Sequence, residues 1–75
     1  MPNRRPKIDY EKALGANVRR LRLKAGMSQE TLAIQCGMFR TYLSRIENGT
    51  ANPTIRMITS LSDGLGVTPG DLMKP

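Results

Sequence analysis

The sequence predicts an all-α fold, and three observations carry that prediction. Apolar residues recur at steps of three and four along most of the chain. Most of these stretches open on a polar capping residue or a proline and close on a glycine. No segment alternates apolar and polar residues as a strand would. At 75 residues the chain amounts to one domain with a modest core. Such a core supplies about 3–5 kcal/mol by itself. Cys36 is the single cysteine and there is no histidine, which excludes an internal disulfide and a Cys/His zinc site. No metal and no cofactor is expected. Helix packing, helped by a second subunit, is left to hold the fold together.

The elements follow in order. Residues 1–8 contain two prolines and three cations and read as a mobile basic arm, with the folded domain over 9–75. The arm is either a solvated tail or a segment that reaches phosphates or a minor groove. From about Asp9 to Ala25, Leu14, Val18, Leu21 and Ala25 form one helical stripe, and Gly26 stops it. Arg19, Arg20, Arg22 and Lys24 crowd its second half, near the negative end of the helix dipole. Ser28 caps a second helix, with Glu30 in its first turn and Leu32, Ala33 and Cys36 facing inward until Gly37. No activating base accompanies Cys36, so it reads as a small hydrophobe and not a nucleophile.

A third helix runs from about Arg40 to Asn48, with Leu43, Ile46 and the preceding Met38 facing inward, and Gly49 breaks it. After the loop Thr50–Pro53, the residues Ile55, Ile58, Leu61 and Leu65 make the stripe of a fourth helix ending at Gly66. Gly64 weakens its last turn by up to about 1 kcal/mol relative to alanine. A short fifth helix begins with Thr68 as cap, Pro69 in its first position and Asp71 completing a capping box.

The formal net charge is +6, which favours an anionic partner: nucleic acid, an acidic protein surface or anionic lipid. No run of about 18 apolar residues exists to span a membrane. The basic start lacks the apolar stretch of a signal peptide, so a cytoplasmic protein, on the nucleoid when bound to DNA, is expected.

The spacing between helices two and three is the informative feature. Gly37–Phe39 leaves a three-residue turn, so the two helices must cross steeply, as in a helix-turn-helix. Such a unit offers the start of its second helix to a DNA major groove. On helix three, Arg40, Thr41, Ser44, Arg45 and Asn48 share one side, all polar and none acidic. That face is either an ordinary solvated surface or one suited to a phosphate-lined groove, where arginine pairs with guanine and threonine offers a hydroxyl and a methyl.

The string VRRLRLKAGMSQETLAIQCGMFRTYLSRIENGTANPT, followed by LGVTPGDL, carries a resemblance. Leu14–Met73 is similar to the XRE family, the lambda-repressor-like helix-turn-helix domain of Cro and related phage repressors. The elements Gly26–Ala33 and Tyr42–Gly49 are its most specific matches. The resemblance implies a compact five-helix DNA-binding domain acting as a dimer on pseudo-palindromic operators.

Residue by residue, it implies base readout by Arg40, Thr41, Ser44 and Arg45. It implies that Gln29 contacts a phosphate while bracing the recognition helix and that Tyr42 and Asn48 touch the DNA backbone; Thr50, and Arg19 or the arm, are the further phosphate contacts expected. Arg22 and Glu47 match a structural ion pair. Left-over apolar residues and family habit place the dimer surface at Met57, Leu72 and Met73. Phe39 departs from the pattern, which commonly has Ser or Thr as a cap there. It either folds back onto apolar neighbours or stays exposed and meets a thymine methyl or a sugar.

The function implied is a transcriptional regulator specific for a double-stranded DNA operator. The alternative is an antitoxin or accessory module whose main partner is a protein. No phosphate loop or paired carboxylates suggest an enzyme.

Overall fold

The computed structural model describes residues 7–75, so the expected basic arm, apart from Lys7 and Ile8, lies outside the described residues. Five helices follow one another: α1 (Tyr10–Lys24), α2 (Gln29–Cys36), α3 (Arg40–Glu47), α4 (Ile55–Leu65) and α5 (Pro69–Leu72). No strand occurs among the described residues.

Local chemistry sets the boundaries. Asp9, Ser28, Thr54 and Thr68 each accept a first-turn backbone N–H through a side-chain oxygen. In α5 the box is reciprocal, with Asp71 accepting from the Thr68 N–H at 3.0 Å. Those bonds from Thr68 hold the Asp71 carboxyl below the usual carboxylate range. Gly37 takes the left-handed conformation (φ 68°) that ends α2, and the Met38 N–H turns back to the Ala33 carbonyl. This closure makes the α2–α3 turn tight.

The core draws on every element. Leu14 and Val18 come from α1, Leu32 and Ala33 from α2, Leu43 and Ile46 from α3, Ile58 and Leu61 from α4 and Leu72 from α5. Ala51 of the α3–α4 connection completes it. The α1 helix packs on α3, α4 and α5, and α2 packs on α3 and α4.

Three expectations need correcting. Ala25 is exposed, and the buried set of α1 includes Gly15 and Arg22 instead. Ile55, expected on the stripe of α4, is 79% exposed because the buried face starts one turn later at Ile58. Leu72, expected at a subunit contact, is fully buried within the chain. The amide of Asn17 donates to the Leu72 and Lys74 carbonyls at 2.8 Å each, which draws the C-terminal segment onto α1 and closes Leu72 over the core.

Gly64 also has a different sense from the one expected. A Cβ there would stand 3.1 Å from the Cys36 sulfur and 3.3 Å from Leu32, so the glycine lets α4 come close to α2. Cys36 is half-buried and its thiol donates to the Ser60 carbonyl at 3.4 Å. Burial, with a smaller contribution from Asp63, pushes that thiol up. It is therefore packing and not a reactive thiolate.

Candidate nucleic-acid interface

The α3 helix divides into two faces. Leu43 and Ile46 enter the core, and Glu47 beside them is buried. Arg40, Thr41, Arg45 and Asn48 are exposed on the other side, and Ser44 is half-buried at its edge. Tyr42 lies half-buried against the core.

Glu47 is the only acid on the helix, and it is matched internally. Arg22 donates to it from Nε (2.7 Å) and from a terminal guanidinium nitrogen (3.0 Å), the two-point geometry that makes such pairs strong. A third guanidinium donor reaches the Met27 carbonyl at 2.9 Å. The hydrogen bond to Glu47 raises the Arg22 pKa despite burial, so the side chain is a permanent cation. Gln29 then donates Nε2 to the same carboxylate at 3.0 Å. One carboxylate of α3 thus fastens α1 and the start of α2, while Arg22 ties in the α1–α2 loop.

This network has an electrostatic consequence. The charge of Glu47 is spent inside, so the outward face of α3 carries two arginines and no carboxylate. No acid stands in its first turn and no side chain caps it, which leaves the positive end of its dipole without a compensating side chain. An anionic partner is what such a face suits.

The remaining residues fall into two groups. Arg45 and Thr50 are joined: the Thr50 hydroxyl donates to the Arg45 carbonyl at 3.2 Å, and the Arg45 guanidinium donates to the Thr50 carbonyl at 3.4 Å. Arg19 is exposed on α1, outside these hydrogen-bonded groups. Phe39 does not fold back; it is 83% exposed. Asn17, Gly15 and the buried Ser62 were missed by sequence reasoning. The roles of Asn17 and Gly15 depend on close approach between distant segments, which periodicity does not record, and Ser62 is buried because its hydroxyl is satisfied by the Thr59 carbonyl at 2.8 Å.

Two short packed helices joined by a three-residue turn, the second tied from behind by hydrogen bonds to Glu47 and offering an acid-free basic face, define the helix-turn-helix class of DNA-binding domain. The chain belongs to the family described as the helix-turn-helix domain, whose model matches residues 13–74. That family consists of DNA-binding regulators of transcription and not of enzymes.

The control protein C.BamHI of Bacillus amyloliquefaciens is 50% identical over 60 residues, covering 79% of this chain and 74% of its own. Among solved structures, the restriction-modification controller protein C.AhdI from Aeromonas hydrophila superimposes with a TM-score of 0.80 at 35% identity, over 83% of this chain and 94% of that one. The hypothetical transcription factor NHTF from Neisseria superimposes with a TM-score of 0.84 at 35% identity, over 100% of this chain and 87% of that one. Among the described residues no helix is long and apolar enough to cross a membrane.

Proposed function

We propose that this chain is a sequence-specific transcriptional regulator of the restriction–modification controller type. It binds a pseudo-palindromic operator as a homodimer, with α3 of each copy in a major groove. The observation that carries this reading is the acid-free outward face of α3 on a helix locked from behind by Arg22, Glu47 and Gln29. The controller assignment is supported by the similarity to C.BamHI and C.AhdI.

In this reading Arg40, Thr41, Ser44 and Arg45 meet base edges. Tyr42, Asn48, Thr50 and Arg19 meet phosphates. Gln29 serves twice. One N–H of its amide is taken by Glu47, and the second is free to donate to a phosphate beside the start of α2.

Two copies are needed because one short helix covers only a few base pairs. A two-fold dimer spaces its recognition helices roughly 34 Å apart, one turn of DNA. With Leu72 buried, the proposed subunit contact is formed by the half-buried Met57 and Met73 together with the exposed Ile55. Ile55→Lys is expected to shift the protein from dimer to monomer in sedimentation while leaving the helical circular dichroism unchanged, since Ile55 lies outside the core. A dimer unaffected by this change places the contact elsewhere.

The decisive test is selection of bound sites from random duplex DNA, followed by titration of the selected site at several salt concentrations. Affinity should fall with salt at a log–log slope of about −0.9 per phosphate neutralised. Arg40→Ala and Arg45→Ala should each cost about 1–3 kcal/mol if they read guanine, with relaxed specificity at one position per half-site. A module whose main partner is a protein would select no site and show no such salt dependence.

A further inference from the structure

The helix offered to the groove opens on a side chain that serves neither purpose usual for its position. Phe39 is the residue before α3, with extended backbone (φ −75°, ψ 145°) and no side-chain cap bond. Every other helix of the domain is capped by a side-chain oxygen. A phenyl ring cannot accept a hydrogen bond from the first-turn N–H groups, so the helix forgoes the stabilisation that serine or threonine would bring. Nor does the ring compensate by packing, since it is 83% exposed. Folding alone would be better served by a hydroxyl here. The ring stands instead in water immediately before Arg40 and Thr41, the residues that a groove-bound helix presents first.

We propose that Phe39 reads the C5-methyl group of a pyrimidine in the major groove. The proposal rests on the DNA-binding reading above. Base edges in that groove present hydrogen-bond donors, acceptors and a single apolar group, the C5 methyl of thymine. A 5-methylcytosine carries the same group at the same place. A phenyl ring gains nothing by facing a phosphate or a carbonyl oxygen, whereas covering a methyl removes apolar surface from water on both partners. The adjacent Arg40 is suited to the O6 and N7 of guanine. Side by side, the two residues fit a step in which a methyl-bearing pyrimidine neighbours a guanine.

The test uses the full chain and the operator selected from random DNA. At each pyrimidine position of a half-site, four otherwise identical duplexes are compared, bearing thymine, uracil, cytosine or 5-methylcytosine. At one position, removing the methyl should weaken binding about fourfold per half-site and about fifteenfold when both half-sites are changed. Phe39→Ser should abolish that dependence and raise the melting temperature, because the cap is restored. A loss of methyl preference there cannot then be assigned to unfolding. Phe39→Leu should retain part of the preference. Preference for thymine over uracil without preference for 5-methylcytosine over cytosine supports thymine as the source. Preference in both comparisons supports recognition of the methyl whatever base carries it. Equal binding of thymine and uracil duplexes at every position, or a methyl dependence that survives Phe39→Ser, overturns the assignment while leaving operator binding intact. Failure of the parent protein to select any site overturns the DNA-binding reading and this proposal together.

Discussion

Glu47→Ala is expected to cost about 3–5 kcal/mol, enough to leave a domain of this size largely unfolded at physiological temperature. The reason is what the substitution leaves behind. Arg22 is 7% exposed, and two of its three hydrogen-bonded donors end on Glu47. Without the carboxylate, only the bond to the Met27 carbonyl remains for a buried cation. The guanidinium cannot escape by losing its proton, because its pKa lies far above any working pH. The amide of Gln29 loses its acceptor in the same step.

The paired replacement Arg22→Met with Glu47→Leu separates that penalty from the worth of the interaction. Removing both charges takes away the desolvation cost along with the attraction, and such replacements are often neutral or stabilising by about 1–4 kcal/mol. The double variant should therefore recover most of the urea midpoint lost by the single one, with an unchanged m-value. Its DNA affinity should stay low even so, because Gln29 is no longer anchored and the start of α2 is freed from α3. A single variant within about 1 kcal/mol of the parent would refute the structural role of the pair. A double variant as unstable as the single one would show that shape, and not charge balance, is what the site requires.

Much of this architecture could be read from sequence because its causes are local. A side-chain oxygen three residues before the N–H it accepts, and a glycine able to take a left-handed turn, act within one helical turn. Ser28, Gly37, Thr68 and Asp71 were legible for that reason. The outward face of α3 was legible because its polar residues segregate cleanly from Leu43 and Ile46. What escaped depends on partners far along the chain. Ala25 has the spacing of the α1 stripe but is exposed at the end of the helix, and the burial of Arg22 depends on a carboxylate 25 residues away, which the family resemblance implied and periodicity did not. Leu72 looked like a spare apolar residue until Asn17, 55 positions away, bound its carbonyl. Ile55 has the right spacing but lies beyond the reach of the core. Nothing in the identity of Phe39 decides whether it packs or projects, and the fold leaves it exposed.

Gly15→Ala is expected to destabilise the domain by about 2 kcal/mol or more, although an exposed helical glycine would gain from the same change. Alanine is favoured over glycine by about 1 kcal/mol in a helix interior. Against that gain stands the crossing of α1 over the end of α3. A Cβ at Gly15 would fall 2.7 Å from the Glu47 carbonyl oxygen and closer still to that of Ile46, where an unstrained carbon contact needs about 3.5 Å. Both obstacles are backbone, so no rotamer change relieves them. Relief requires α1 and α3 to separate, which also strains the Arg22–Glu47 pair and opens voids around Leu14 and Ile46. Gly64→Ala is the matched comparison. The added methyl there meets the Cys36 and Leu32 side chains at 3.1 and 3.3 Å, groups that can shift by a few tenths of an ångström. Its net effect should stay within about 1 kcal/mol because propensity and crowding nearly cancel. Urea unfolding of the two variants side by side checks the difference. DNA titration adds a functional readout: at protein concentrations and temperatures where Gly15→Ala remains folded, its affinity should still fall, because the helix it displaces is the one proposed to enter the groove. Equal stability of the two variants would mean that the α1–α3 crossing is looser than these carbonyl positions require.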